Sequence, residues 1–552
     1  MRCPRFLAIA VLSIFSLRAE NPKLASDLTA LLSDLTKKVD VIVQYDTPPD
    51  LSDIADLKGN GGSVKMQFDN IPAAVITISV GRLNNLTSLL KVKHISLDHP
   101  IAGLLDYTAA TVGADLAWRA GLDGTGVGVA VIDSGIANHP DLQAAGVSRV
   151  VYQENFIDNE SGDSFGHGTH VAGIVGGNGN ASTGGAYKRT FKGIAPGVSL
   201  IDLRVLDKNG MSSDSVVIAA LDRVIQLRKR YNIRVVNLSL GRQITESYQT
   251  DPLCKAVEQV WRSGVVVVIA AGNDGRRGYS SILAPGNSPS AITVGAMKTM
   301  TTVTRTDDNI ASYSSKGPSA LDLVSKPDLV APGNLTISLL APGSTLANAF
   351  PGNVVATSDY SAQTGMSSAY FRLSGTSMAT PVVSGTAALL IQKDPSLSPD
   401  TVKARLMKTA SKKFPTYSYA YDPTTKQSFV STYDLYTVGA GYLDVAAAIS
   451  NNDVANGSAA SPSLVPIPLV GITYLTNTAL PGGTLAIWGT NGPFSNMAVW
   501  GTLAIWGTNN PFSTLAIWGT TAPWGALAIW GTNTPTGTLA IWGTSNQGYA
   551  EQ

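Results

Sequence analysis

Apolar positions fall in strand-length runs through the middle of the chain. Residues 126–132, 198–205, 234–240, 264–270 and 291–295 are each almost wholly apolar and rich in Val and Ile, and helix-like stretches such as 213–231 and 252–263 lie between them. Strands that are apolar on both faces and alternate with helices predict an α/β fold, a parallel sheet covered on both sides. This region is expected to run over residues 106–452. Before it, residues 39–45 and 73–79 alternate like strands and 81–90 reads as a short helix, so 20–105 is expected to form a small α+β unit. A Ser-, Ala- and Pro-rich stretch at 457–468 suggests a linker over 453–483.

The C-terminal stretch is a different material. Leu-Ala-Ile-Trp-Gly-Thr begins at Leu485, Leu503, Leu515, Leu527 and Leu539, and Met497-Ala-Val-Trp-Gly-Thr is a variant of it. Seven of the nine tryptophans lie here at gaps of six or twelve residues, and 454–550 holds no Asp, Glu, Lys or Arg. Four apolar residues closed by Gly-Thr predict short strands of a repeat array, so residues 484–552 are expected to be a repetitive β-rich tail. Such units bury themselves only against neighbours. Several uses stay open: stacked strands, a cell-surface or polysaccharide-binding module with exposed Trp, a cleaved sorting segment, or self-association through identical uncharged β-prone segments.

Composition removes some partners. The 552 residues carry 40 Lys+Arg and 39 Asp+Glu, a formal net charge of +1. With no dense basic run, nothing points to nucleic acid. The first residues, Met-Arg-Cys-Pro-Arg and then an apolar run over 6–17, have the pattern of a signal peptide over 1–19 and hence of an exported protein. A buried N-terminal helix is the alternative. That run is too short to span a bilayer comfortably, and no later segment reaches ~18 uninterrupted apolar residues, so no transmembrane segment is expected. Cys3 would leave with the leader. Cys254 would then be alone, with no intrachain disulfide to make.

Three segments carry candidate chemistry. Val131-Ile-Asp133-Ser-Gly places a carboxylate where an apolar strand ends. Gly166-His167-Gly-Thr-His170 puts a histidine between glycines at the start of a helix-like run. Gly375-Thr-Ser377-Met-Ala places a serine at the start of another. Groups at the carboxyl ends of parallel strands sit where open α/β sheets bind ligands. A serine hydroxyl needs an adjacent base, and that base needs a third group to orient it. Asp133, His167 and Ser377 supply one of each. His139 reads as a loop-packing residue and His170 as a structural histidine. A metal pair at His167 and His170 is the alternative, without a matching ligand motif to support it. The order Asp, His, Ser differs from that of α/β-hydrolases, and Ala379 fails the last position of the G-x-S-x-G elbow.

With those residues in place, 107–450 resembles the catalytic domain of a subtilisin-like serine protease. "VAVIDSGIANHPDL", "GHGTHVAGIVGG", "VVNLSLG", "IAAGNDG" and "LSGTSMATPVVSG" stand in the family's order, with "IASYSSKGP" and "KPDLVAPG" between the last two. The resemblance implies a three-layer parallel sheet, Ser377 as nucleophile, His167 as proton shuttle and Asp133 as its orienting partner. It also implies that Asn273 donates its amide to the oxyanion together with the Ser377 N–H. By the same resemblance Ser239, Leu240 and Gly241, with Ala270, Ala271 and Gly272, line the substrate groove and pair with substrate backbone as strands. Leu283 would lie near the base of the pocket for the residue before the cut bond, where apolar or mixed side chains are expected. No cofactor is implied. A structural calcium is possible for the family, but its loop is not recognisable in 176–191. Residues 20–105 resemble the family's inhibitory propeptide, cut by Ser377 near 100–110; a free-standing binding domain is the alternative.

The expected function is a secreted serine endopeptidase made as an autoprocessed zymogen, with proteins or peptides as substrates and its own propeptide as inhibitor. The rival reading is a surface- or polysaccharide-binding protein whose Trp-rich tail is the working part. Asp133, His167, Ser377 and Asn273 together speak against a degenerate enzyme. Peptide ligation by the same three side chains is a further alternative.

Overall fold

A computed structural model describes residues 21–97, 107–467 and 472–476, apart from 22, 26, 27, 29, 30, 69, 70, 363–365, 423–425 and 456. The leader at 1–19, the repeats at 484–552 and most of the expected cut region fall outside the described residues. The chain divides into two compact units, 1–101 and 102–552.

The first unit is a four-stranded antiparallel sheet in the order 63–67, 73–79, 38–44, 94–97. Alternation places Val39, Val41 and Val43 inward from the strand Lys38–Gln44. They meet Ile76, Ile78, Leu83, Leu86 and Ile95 in a core separate from that of the second unit. Asp50 caps the helix Leu51–Gly59 by accepting from the Ser52 and Asp53 N–H groups.

The second unit is built on an eight-stranded sheet running 309–310, 292–298, 266–270, 233–238, 128–133, 199–204, 150–155, with 329–332 also on 292–298. All pairs are parallel except that of 309–310. Every residue of Gly128–Asp133 and of Val266–Ala270 is buried, which accounts for their unbroken apolar sequence. The strand 128–133 lies between 199–204 and 233–238, where the chain changes from adding strands on one side to adding them on the other. That switch opens a crevice at the carboxyl ends, and Asp133 is the last residue of this strand.

The long helix Thr376–Lys393 packs across strands 233–238, 266–270 and 292–298 and against the helix His167–Gly176. It is buried almost all round, so its apolar pattern shows no single face. The packed body also continues past residue 452, into the stretch expected to be a linker. Ala459, Ser461 and Leu464 are buried. Ser461 Oγ donates to Asp328 at 2.6 Å and accepts from Lys403 Nζ at 2.8 Å. Fully buried Lys403 and Asp328 use those bonds, and Ser/Ala/Pro composition gives no hint of it.

Candidate active site

Asp133 and His167 meet because two glycines let their segments touch. Gly166 has φ +99, in the left-handed region, and a Cβ there would collide with Ser344. A Cβ on Gly168 would collide with the Gly135 carbonyl and press on Asp133. His167 Nδ1 lies 2.8 Å from Asp133 Oδ1, which also accepts the Ser134 N–H at 2.8 Å. Asp163 holds the start of this helix: its oxygens accept from the Gly166 and Thr169 N–H groups and from the Thr169 and Ser134 hydroxyls. Burial works against a charged His167, but the Asp133 carboxylate and its hydrogen bond, with Asp163 behind, raise its pKa above the ordinary 6.5. With Nδ1–H committed to Asp133, Nε2 is left as the basic nitrogen.

Ser377 is the second residue of the helix Thr376–Lys393, and Pro381 stands four residues on. Having no N–H, Pro381 cannot bond the Ser377 carbonyl. Ser239 fills the gap: its Oγ donates to the Ser377 carbonyl at 2.8 Å, and the Ser377 hydroxyl donates to the Ser239 carbonyl at 3.2 Å. Asn237 Nδ2 bonds Ser239 Oγ at 2.9 Å, and Ser384 Oγ bonds Asn237 Oδ1 at 2.9 Å. A neutral, buried chain therefore ties the serine's helix to the strand Ile233–Leu238 and the segment after it. Among the described residues the Ser377 hydroxyl bonds Ser239 and not His167, so meeting the imidazole requires it to turn.

Asn273 follows the strand Val266–Ala270 and is exposed. Its Oδ1 accepts from the Thr376 N–H at 2.9 Å and the Thr376 hydroxyl at 3.1 Å, which settles which end of the amide is oxygen. Nδ2 then faces Gly375, where a Cβ would stand 3.3 Å away. Neither Nδ2 nor the Ser377 N–H has a partner among the described residues. Two unused donors beside one serine form a site for negative charge on an oxygen.

A groove of about 320 Å³ runs from His167 along Ser239, Leu240, Gly241 and Arg242, with Leu206, Gly210–Ser213 and Val217 on its other wall. Leu240 and Gly241 make no backbone hydrogen bond among the described residues, so their edge is open to an extended peptide. Residues 270–272 differ from the expectation. The Ala271 N–H donates to Val294 and its carbonyl accepts from Leu283, while Gly272 is bonded to Thr376 Oγ1 and to the Ser315 N–H. Their backbone is already paired and none of the three lines the groove, so they do not add a substrate strand. A Cβ on Gly272 would meet Leu283 Cγ at 2.6 Å, and one on Gly241 would meet Leu283 Cβ at 3.2 Å, which seats Leu283 against both segments. The one acidic side chain lining the groove, Asp214, takes Arg242 Nε at 2.8 and 2.9 Å, and Arg242 is also paired with buried Asp251.

The other histidines of this unit have backbone duties. His139 Nδ1 accepts the Asp141 N–H and its Nε2 bonds the Ala369 carbonyl at 2.9 Å; burial lowers its pKa. His170 Nε2 reaches the carbonyls of Thr336 and Phe371, both at 3.1 Å, and burial with repulsion from His167 lowers its pKa to about 3. A nitrogen so committed is a poor metal ligand. Among the described residues no group of three or more His, Cys, Asp and Glu is placed to hold a metal ion. Asn237, Thr376, Pro381 and Ser384 escaped the sequence reading. Only Pro381, inside an evident helix, left a signal there.

The chain is similar to several known proteins. The Subtilase family (Peptidase S8) matches residues 124–441. Serine protease AprX of Bacillus subtilis (strain 168) is 35% identical over 393 residues, 68% of this chain and 84% of that one. Subtilisin E of the same organism is 34% identical over 356 residues, 64% of this chain and 78% of that one. A solved cold adapted subtilisin-like serine proteinase is 32% identical and covers 53% of this chain and 85% of its own, at a TM-score of 0.38.

Proposed function

Because the chain belongs to the Subtilase family and is a serine endopeptidase, we propose that Ser377, His167 and Asp133 cut the peptide bond, with Asn273 and the Ser377 N–H as oxyanion donors. The observation that carries this reading is the 2.8 Å contact of Asp133 with His167 Nδ1, on the same groove wall as the Ser239 whose carbonyl holds the Ser377 hydroxyl.

The hydroxyl turns from the Ser239 carbonyl to His167 Nε2, which takes its proton as Oγ bonds to the substrate carbonyl carbon. The carbonyl oxygen becomes an anion and accepts hydrogen bonds from Asn273 Nδ2 and the Ser377 N–H. His167, now charged and held by Asp133, gives the proton to the departing amine, and the C–N bond breaks. Water repeats the sequence on the acyl-enzyme, returning the proton to Ser377. Leu240 and Gly241 pair with the substrate backbone. With Asp214 neutralised by Arg242 and Leu283 beneath, apolar side chains are the expected choice beside the cut bond.

The zymogen belongs to the same proposal. The unit 1–101 has its own core, and the boundary at 101/102 falls within the region where the cut is expected. Export follows from the N-terminal pattern. Phenylmethylsulfonyl fluoride is expected to label Ser377 alone, and Ser377→Ala to leave the full-length precursor uncut and inert on a casein film. Cleavage of casein by Ser377→Ala would refute the assignment.

A further inference from the structure

The strands Tyr417–Asp422 and Gln427–Thr432 form a hairpin in which the expected amphipathic pattern is reversed. On its inward face Ser418 and Ser431 are buried opposite each other, Lys316 Nζ reaches Ser431 Oγ at 3.3 Å, and the Arg276 guanidinium lies 4.6 Å from the Phe429 ring. On the outward face Tyr417, Tyr419 and Tyr421 stand 54%, 67% and 60% exposed, with Val430 at 57% directly across from Tyr419. The first two rings meet edge to face at 5.4 Å, and none of the three hydroxyls has a hydrogen-bond partner among the described residues. A half-buried hairpin ordinarily turns its apolar residues inward. One that buries serines and presents a ladder of tyrosines offers a contiguous aromatic patch of the kind that marks an interaction surface.

We infer that this face is the docking surface for a Leu-Ala-Ile-Trp-Gly-Thr unit of the chain's own C-terminal repeats. Charge is the first argument. The outward positions are Tyr417, Tyr419, Tyr421, Ser428 and Val430, and 454–550 carries no charged residue, so neither side would strand an ion. Reach is the second. The described chain ends at Thr476, which pairs with Ser463, and Ser463 in turn bridges to Val324. Val324 belongs to a loop closed by the Ser319 N–H on its carbonyl at 2.8 Å, three residues beyond the Lys316 that touches the hairpin. That path of three paired positions, three residues and one lysine side chain bounds the distance from exit to hairpin at roughly 40 Å, whereas the residues from Thr476 to Leu503, where a further repeat begins, extend about 90 Å. Spacing is the third. Tyrosines at every second strand position repeat about every 6.7 Å, the interval at which a Leu-Ala-Ile-Trp strand repeats the residues of one face.

The test uses the full chain carrying Ser377→Ala, so that nothing is cut. A photoreactive benzophenone side chain placed at position 419 is expected to cross-link to a peptide from 485–544 of the same molecule, with a yield unchanged by hundredfold dilution. Tyr417→Ser with Tyr421→Ser is expected to lower that yield at least fivefold. In the Tyr417→Ser, Tyr419→Ser, Tyr421→Ser chain, acrylamide should quench the tryptophan emission more steeply, by about the share of one tryptophan in nine. Capture of a residue outside the repeats, no capture at all, or cross-links between chains that vanish on dilution would each overturn the inference, the last in favour of a second copy. A polysaccharide that competes with the benzophenone for this face while tryptophan quenching stays unchanged would overturn it too. The cross-link is read on a chain altered at one hairpin position only, so a folding defect of the triple variant leaves the outcome decidable.

Discussion

Asp202 offers a test of the site's electrostatics that needs no substrate. It lies on the strand Ser199–Arg204, beside Val131 of the strand that ends at Asp133 and beside Gln153 on its other flank. One oxygen accepts the Ile136 N–H at 3.0 Å and Gln153 Nε2 at 3.1 Å, and so clamps the turn that follows Asp133. The other oxygen is buried and has no hydrogen-bond partner among the described residues. Burial, with repulsion from Asp163 and Asp133, outweighs those two bonds and raises the Asp202 pKa from 3.8 to about 7. A carboxyl raised in this way helps the fold while both states are protonated, and the benefit is lost as pH climbs through 7. Three pH units at about 1.4 kcal/mol each set an upper bound near 4 kcal/mol. Asp202→Asn keeps the shape, lets its one oxygen accept both bonds, and never ionises. In a Ser377→Ala background, amide exchange of strand 199–204 should slow about 30- to 1000-fold at pH 8.5, for a gain of about 2–4 kcal/mol. At pH 4.5, just above the unfolded carboxyl's value, it should slow by less than about tenfold. Faster exchange at pH 8.5, or the same gain at both pH values, would refute the argument.

Three further outcomes are expected from the same geometry. Asn273→Ala removes one of two oxyanion donors and should lower kcat about 10²- to 10³-fold with KM little changed, measured on a chromogenic peptide. His167 must be neutral to accept the Ser377 proton, so kcat/KM should fall as pH drops through a value above 6.5; Asp133→Asn should move that limb to lower pH while kcat falls about 10⁴-fold. Ser461→Val leaves buried Lys403 and Asp328 each short of a partner and should cost about 2–4 kcal/mol. An unchanged melting temperature of the full-length variant would show that the 458–464 segment is dispensable.

The sheet and the pairing of Asp133 with His167 were legible because each announces itself within one short window. The strand 128–133 is unbroken apolar sequence ending in a carboxylate, and His167 opens a helix between glycines. What escaped was written between distant windows. Ser384 and Asn237 lie 147 residues apart and join by one neutral hydrogen bond, which leaves no periodicity or charge to read. Ser461 sits in a stretch whose composition reads as linker, yet its hydroxyl serves two buried charges. The hairpin did leave a trace, since Tyr-Ser-Tyr-Ala-Tyr alternates with period two. Which face it buries is decided by Arg276 and Lys316, far off in the sequence.

Asp133 also couples two titrations that belong to different elements. Its charge helps to raise the pKa of His167 across a hydrogen bond and that of Asp202 across the strand pair. Taking that charge away must therefore lower both, although one group is a base that gains charge on protonation and the other an acid that loses it. A lower Asp202 pKa means a smaller penalty for its ionised form, so Asp202→Asn should stabilise the Asp133→Asn chain at pH 8.5 less than it stabilises the Asp133 chain. Groups in contact through a shared field are those for which additivity fails. Equal gains in the two backgrounds would mean that Asp202 is raised by burial and Asp163 without Asp133, and that the two sites do not sense one another.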